Sequence, residues 1–172
     1  MKKLISISFL FLILSIICSN VVKGQTSEEF FDLGNEKSRL ENYRGAIDDY
    51  TKAIALNPQY ADAYNNRGIT KILLKDYLGA IQDYTKAIEL NPQFSDAYNW
   101  RGVAKAALKD YLVAIQDFNK AIELNPQDAD AYFGRGGAKH LLGDKNGGCM
   151  DWSKAGELGH YSAYDNIKKY CN

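Results

Sequence analysis

Apolar residues recur at helical spacing in two kinds of segment that alternate along the chain. The segment DAYNNRGITKILL, which starts at Asp62, and the segment AIQDYTKAIEL, which starts at Ala80, each place apolar side chains on one face of a helix. The residues KDY form a short connection between them. Because Pro58 cannot continue a helix and Asn57 can adopt a left-handed conformation, the dipeptide NP predicts the end of the second helix. The pattern therefore predicts antiparallel helix pairs.

The helix pair recurs with a period of 34 residues. The stretch AIDDYTKAIALNP, from Ala46, returns as AIQDYTKAIELNP from Ala80 and as AIQDFNKAIELNP from Ala114. One helix pair cannot bury its own apolar face, so stacked copies are needed to form a core. The repeated positions are glycine (Gly34, Gly68, Gly102, Gly136), small residues (Ala46, Ala80, Ala114, Gly148, then Ala53, Ala87, Ala121, Ala155), rings (Tyr50, Tyr84, Phe118, Trp152) and proline (Pro58, Pro92, Pro126).

The order of these positions resembles the tetratricopeptide repeat, with glycine at place 8, alanine at places 20 and 27, a ring at place 24 and proline at place 32. The resemblance implies an all-α fold, a right-handed α-α superhelix of antiparallel helix hairpins. Residues 25–172 would form this single domain, with repeats 27–60, 61–94 and 95–128, a degenerate repeat 129–162 and a cap helix 163–172. The last repeat departs from the pattern, since Gly148 replaces alanine and His160 replaces proline.

An arginine stands directly before the glycine in every repeat except the first, where Leu33 takes its place. Each repeat also has an aspartate at place 23. Because only the first repeat has no repeat before it, we predict that each arginine is largely buried and contacts the aspartate of the preceding repeat. An arginine ladder for anionic ligands is the alternative. The predicted pairs are Arg67 with Asp49, Arg101 with Asp83, and Arg135 with Asp117.

The resemblance also implies a binding groove, because the first helix of each unit lines the concave face in this family. The places that generally point into it would give an apolar floor with amides along it, which suits an extended or helical peptide. The alternative is that some of these residues pack against the neighbouring helix. The groove residues are Phe31, Asn35, Asn65, Ile69, Ile72, Leu73, Asn99, Val103, Ala106, Ala107, Phe133, His140 and Leu141.

One subset of the family holds the acidic C-termini of heat-shock chaperones with Lys, Asn and Arg side chains. Asn35 and Asn65 match its amide places, but its basic places hold Phe31, Asp96 and Trp100. We therefore expect no such clamp. Further carboxylates stand at Asp62 and Asp130.

The chain begins with the features of a secretory signal peptide. Lys2 and Lys3 precede an apolar run from Leu4 to Cys18, which is too short to span a membrane comfortably, and a polar stretch follows. We place the cleavage after Gly24, so residues 1–24 are the signal and the protein is expected in the periplasm or outside the cell. The alternatives are an uncleaved anchor and a lipoprotein modified at Cys18.

Export changes both the charge and the cysteine chemistry. Removal of residues 1–24 takes away Lys2, Lys3 and Lys23 and no acid, which leaves 18 basic and 21 acidic side chains and a formal charge of −3. Interspersed charge without a basic block argues against nucleic acid as a partner. Antiparallel packing of the cap helix on the preceding helix would bring Cys149 opposite Cys171, which predicts a disulfide bond; two free thiols or an intermolecular link are the alternatives.

No catalytic or metal-binding constellation stands out from the repeat. His140 and His160 lack a second ligand at metal spacing, and neither a phosphate loop nor a GxSxG elbow is present. We therefore expect no enzyme activity, cofactor or metal, and predict a scaffold that binds another protein or peptide. A self-assembling homo-oligomer is the alternative, and an enzyme accessory or hydrolase is a third class.

The signal peptide generates the first testable prediction. Cleavage after Gly24 should give a mature chain that begins with Gln25 outside the cytoplasm. N-terminal sequencing of the protein from fractionated cells measures this, and intact Met1 in the soluble cytoplasmic fraction would refute it.

Overall fold

A computed structural model describes residues 25–171 of the chain, and this range contains nine α-helices and no strand. The predicted signal peptide lies outside the described residues. No helix within the described range is long and apolar enough to cross a membrane. The helices are α1 (Ser27–Arg39), α2 (Tyr43–Leu56), α3 (Ala61–Leu73), α4 (Tyr77–Leu90), α5 (Ser95–Ala107), α6 (Tyr111–Leu124), α7 (Ala129–Leu141), α8 (Lys145–Glu157) and α9 (Ser162–Tyr170).

Short polar turns join the two helices of each hairpin. At the centre of the turn the backbone enters the left-handed region, as at Lys75 with a φ of 63°. The next residue then caps the second helix, since the Asp76 side chain accepts a hydrogen bond from the Gly79 amide. The predicted left-handed conformation of Asn57 is wrong. This residue is extended, and its side-chain oxygen accepts from the Gln59 amide, which turns the chain before the next helix.

The hairpins stack in chain order. Each second helix packs against the first helix of the next repeat, and adjacent first helices also contact each other (α1 with α3, α3 with α5, α5 with α7). The second helices make no comparable contact among themselves. The first helices therefore form the inner layer of an all-α solenoid, and α9 closes its C-terminal end by packing on α8. The predicted cap helix is present, with its observed start at Ser162.

The repeated glycine and the repeated ring determine how closely the two helices of a hairpin approach. Tyr84 is fully buried, and a Cβ atom added to Gly68 would come within 2.8 Å of its ring. The same holds for Gly102 and Phe118, at 2.9 Å. A side chain at the glycine would push the ring away from its helix, so the glycine is required by close packing.

The arginines are largely buried, as predicted, but their predicted partners are wrong. Arg67, Arg101 and Arg135 each expose only 15–16% of the side chain. Each binds the aspartate of its own repeat through two N–H···O bonds of 2.6–2.9 Å. The observed pairs are Arg67 with Asp83, Arg101 with Asp117 and Arg135 with Asp151, in place of Arg67 with Asp49, Arg101 with Asp83 and Arg135 with Asp117.

The geometry of an antiparallel hairpin explains this correction. Arg67 precedes the turn residue Lys75 by eight positions and Asp83 follows it by eight, so the two side chains face each other across the hairpin. The remaining arginine nitrogen does reach the preceding repeat, because Nη1 of Arg67 donates to Oγ1 of Thr51 at 3.0 Å. Arg101 and Arg135 make the equivalent bonds to Thr85 and Asn119.

In the first repeat, which has no arginine at this place, a second lysine binds the aspartate instead. In later repeats the aspartate also binds a lysine at place 11, such as Lys71 beside Asp83 at 2.7 Å. In the first repeat Asp49 binds Lys37 and Lys52. Burial of Asp49 opposes its ionisation, but the hydrogen bonds from both lysines outweigh this effect and lower its pKa. Because no repeat precedes the first one, an arginine at this place would have no hydrogen-bond partner for its third nitrogen.

The predicted disulfide bond is present. Cys149 near the start of α8 and Cys171 after α9 are joined, with their Cα atoms 5.7 Å apart. The bond links residues 22 positions apart and attaches the last helix to its neighbour. Within the C-terminal cluster that it fastens, the rings of His140, Trp152 and Tyr170 lie 4.6–5.7 Å from one another.

The ion pairs generate a stability prediction. We expect Arg101→Ala to lower the free energy of unfolding by about 1–3 kcal/mol, because buried Asp117 would keep only Lys105 as a charged partner. Denaturant titration by circular dichroism measures this loss. Lys120→Ala is the matched control, since its exposed partner Glu123 makes a pair worth about 0.3–0.5 kcal/mol. Equal losses in the two variants would contradict the prediction.

Candidate binding groove

Two of the cavities in the described part of the chain lie between adjacent repeats of the inner layer of first helices. The first, which we call the amide pocket, has a volume of about 300 Å³ and lies between α1 and α3. Its lining residues are Asn35, Ser38, Arg39, Tyr50, Asn66, Ile69 and Thr70. The second, the aromatic pocket, has a volume of about 340 Å³ and lies between α5 and α7. Its lining residues are Asn99, Trp100, Val103, Ala106, Phe118, Asp130, Phe133, Gly134 and His160.

Hydrogen bonds connect the polar groups of the amide pocket. The carbonyl oxygen of Asn35 accepts from the Tyr50 hydroxyl at 2.8 Å and from Nδ2 of Asn66 at 2.9 Å. Asn66 in turn accepts from Nδ2 of Asn65 at 3.2 Å. Burial raises the pKa of Tyr50 to about 12, so its hydroxyl keeps its proton at neutral pH and donates to Asn35. This network fixes the side chains across the first repeat boundary.

The same network is missing at the next boundary. Tyr84 repeats the position of Tyr50 and is fully buried, but its hydroxyl has no hydrogen-bond partner among the described residues. Ile69 stands in the place of Asn35, and Trp100 stands in the place of Asn66. Neither offers an acceptor to the hydroxyl. Burial, and to a lesser extent the charge of Asp83, raises the pKa of Tyr84.

Rings form much of the aromatic pocket. His160, in the turn before α9, stacks on Phe133 with ring centroids 4.0 Å apart and an interplanar angle of 14°. Phe118 reaches the pocket from α6, and a Cβ atom on Gly134 would lie 2.6 Å from its ring. Glycine at this position therefore lets the ring extend to the cavity between the inner helices.

Two polar atoms at the aromatic pocket have no hydrogen-bond partner within residues 25–171. Asn99 is 7% exposed, and its carbonyl oxygen accepts no bond. Nδ1 of His160 is also buried and unpaired, while its Nε2 lies 3.5 Å from Oδ1 of Asp130. In the tautomer whose Nε2–H points at Asp130, Nδ1 is an acceptor. Both atoms then require a donor.

Carboxylates gather at the N-terminal ends of the first helices. Asp62, Asp96 and Asp130 are exposed in the first turns of α3, α5 and α7, where negative charge suits the helix dipole. Asp62 and Asp96 form no ion pair among the described residues. Burial raises the pKa of Asp128, and repulsion from Asp130 and Asp96 adds to this effect. Negative charge is therefore concentrated beside the aromatic pocket.

The predicted groove residues lie in different environments, and only some of them line the two pockets. Asn35 and Ile69 line the amide pocket, and Asn99, Val103, Ala106 and Phe133 line the aromatic pocket. Phe31 packs on the rings of Tyr50 and Tyr60, and Ile72 packs against the core. Leu73 and Leu141 are exposed outside both pockets. His140 belongs to the C-terminal cluster, and Asn65 is buried with an unpaired carbonyl oxygen.

Place 6 of the repeat was not among the predicted groove places, and the sequence named it only as a place of the absent chaperone clamp, at Trp100. This place holds Asp32, Asn66, Trp100 and Gly134, and the last three line the pockets. At this place the repeats disagree strongly in both size and polarity. A place that varies inside an otherwise regular repeat is the signal that could have identified it.

Family profiles described as "Tetratricopeptide repeat" match residues 61–94 and 83–116, and one described as "TPR repeat" matches 34–71 and 106–143. Together they cover most of the described chain. The chain belongs to the tetratricopeptide repeat family. Comparison with curated protein sequences gives no match.

Solved tetratricopeptide repeat structures share the fold. MamA is 26% identical with a TM-score of 0.76, covering 84% of this chain and 80% of that one. The first TPR of Spaghetti (RPAP3), bound to the HSP90 peptide SRMEEVD, is 29% identical, with a TM-score of 0.68 and coverage of 71% and 97%. The Arabidopsis OM64 TPR domain is 32% identical, with a TM-score of 0.67 and coverage of 67% and 96%. The chain thus has the architecture of a protein–protein interaction scaffold.

The unpaired Tyr84 hydroxyl generates a prediction for this tetratricopeptide repeat protein. Tyr84→Phe should leave the free energy of unfolding unchanged or raise it, because the buried hydroxyl makes no bond. Tyr50→Phe removes a bond to Asn35 and should cost about 0.5–1.5 kcal/mol. Thermal and denaturant unfolding of both variants measures the difference, and a larger loss for Tyr84→Phe would contradict it.

Proposed function

We propose that this protein is a non-catalytic, exported scaffold that binds a peptide segment of another protein along its inner helix layer. The aromatic pocket is the observation that carries the proposal. It combines ring surfaces from Trp100, Phe118 and Phe133 with the unpaired carbonyl oxygen of buried Asn99. Apolar surface provides affinity for a side chain, and an amide positioned on the groove can bind a peptide backbone.

The comparisons support a protein partner. The first TPR of Spaghetti, whose fold this chain shares, was solved with a bound peptide, SRMEEVD. The chemistry of that peptide does not transfer to this chain. Three of its seven residues are acidic, whereas the inner layer here carries Asp62, Asp96 and Asp130. The shared element is the groove, and the ligand must differ.

The disulfide bond supports export. Cys149 and Cys171 are joined, and structural disulfides persist in oxidising compartments such as the periplasm or the extracellular space. The apolar N-terminal segment, from Leu4 to Cys18, supplies a route to such a compartment. Export also separates the protein from cytosolic chaperones.

Self-assembly is the second candidate, and a row of exposed leucines favours it. The turn edge of the solenoid carries leucines that are 42–66% exposed and recur at equivalent places of successive repeats. Exposed apolar side chains that recur along one edge are typical of an interaction surface. The leucines are Leu74, Leu78, Leu108, Leu112 and Leu142.

Selection from a random peptide library tests the proposed groove. The mature wild-type protein should enrich library members that Ala106→Arg no longer retains, because the new side chain would fill the aromatic pocket. Leu112→Arg is the matched control, since it adds the same charge at an exposed position outside the pockets and should retain the same peptides.

The control also separates the two candidate functions. Loss of peptides only in Ala106→Arg supports the groove, whereas equal retention by all three proteins would refute it. Light scattering gives the mass of each protein in solution. An oligomer that dissociates in Leu112→Arg, together with no groove-dependent peptide, would favour self-assembly.

A further inference from the structure

We propose that the aromatic pocket binds the side chain of an arginine or lysine in the partner segment. This inference rests on the proposed function, because it names the chemistry of the residue that enters the groove. It depends on three independent features of the pocket: its ring surfaces, its unpaired acceptors and its surrounding charge.

The ring surfaces suit a cation. Trp100 and Phe133 both line the cavity, and the negative faces of aromatic rings attract guanidinium and ammonium groups. The chain already uses this contact in its core, where the guanidinium carbon of Arg101 lies 5.5 Å from the centroid of the Tyr98 ring. The cavity of about 340 Å³ is large enough for an extended side chain.

The unpaired atoms of the pocket are acceptors. The carbonyl oxygen of Asn99, a residue that is 7% exposed, has no donor among the described residues. Nδ1 of His160 is buried and unpaired as well, in the tautomer that directs Nε2–H to Asp130. Unpaired buried acceptors are completed by a ligand that brings donors, and arginine carries five N–H groups without an acceptor.

The charge around the pocket has the matching sign. Asp130 lines the cavity with 73% of its side chain exposed, and Nε2 of His160, which is neutral in this tautomer, lies 3.5 Å from its Oδ1. Asp96 stands at the same place of the preceding repeat and forms no ion pair among the described residues. Mutual repulsion among Asp96, Asp128 and Asp130 contributes to the raised pKa of Asp128, so a cation placed among them would relieve an existing repulsion.

The nearby basic side chains do not neutralise these carboxylates. Arg101 and Arg135 are bound to Asp117 and Asp151 inside their hairpins, and Lys105 binds Asp117 as well. The helix dipole alone explains why each first turn has an acid, as at Asp62. It does not explain the buried acceptors and aromatic rings that accompany the acids at the boundary between the third and fourth repeats, where a cavity also lies.

Library selection with charge variants tests the inference. The mature wild-type protein should enrich Arg and Lys in its selected peptides, and Asp96→Asn with Asp130→Asn should lose this enrichment. Asp48→Asn with Asp110→Asn is the matched control, because it removes the same charge from exposed positions outside the pockets and should behave as wild type.

Replacement of arginine by citrulline in a selected peptide tests the charge directly. Citrulline keeps the shape and loses the charge, so we expect an affinity about tenfold lower by fluorescence anisotropy, as befits a cation at a partly desolvated ring site. The difference should shrink in Asp96→Asn with Asp130→Asn, and it should shrink as salt is raised.

The outcomes distinguish the two proposals. Peptides that depend on the groove but contain no enriched Arg or Lys, or that bind equally well with citrulline, would overturn the cationic ligand and leave the groove intact. Peptide retention that Ala106→Arg does not alter would overturn both.

Discussion

The close approach of two helices at a glycine is the contact on which the rest of this structure depends. Where Gly102 faces Phe118, no side chain could intervene without displacing a fully buried ring. Because the hairpin closes so tightly, the arginine directly before the glycine lies within bonding distance of the aspartate directly before the ring. The core contact and the ion pair are thus one arrangement, repeated along the chain. The remaining nitrogen of the arginine also donates a hydrogen bond to the preceding repeat and so connects adjacent hairpins.

The periodic part of the fold could be predicted from the sequence because each hairpin has the same physical task. The helices and the turns between them follow from places that agree between repeats, and the disulfide bond follows from the antiparallel packing of the cap helix on the preceding helix. The partner of the arginine could not be predicted from these repeated places. Arg67 has an aspartate at the right kind of place on both sides, and the absence of arginine from the first repeat suggested the wrong one. Only the position of the turn at Lys75 decides between Asp49 and Asp83.

The candidate site was predictable only in part, because many of the residues that line it differ from one repeat to the next. Asn99, Val103 and Phe133 were found because the family resemblance indicates which places face inward. Trp100 and Gly134 were missed as groove residues because their place holds a different residue in each repeat, and His160 was missed because it stands at the proline place. His160 stands where the other repeats have proline, and its ring stacks on Phe133 at the pocket. Features that make the binding face distinctive are those that the repeat does not share.

The two ends of the solenoid are stabilised by interactions of different kinds, so the molecule is asymmetric along its axis. At the C-terminal end a covalent bond between Cys149 and Cys171 fastens the last helix. At the other end, Asp49 is held by Lys37 and Lys52, whose side chains are 36% and 55% exposed and hence open to competition from water and salt. We expect fraying in this stack of nearest-neighbour units to start at α1, because no covalent bond fastens that end of the described chain. The amide pocket would then open and close with the fraying end, while the aromatic pocket stays formed in the fastened half.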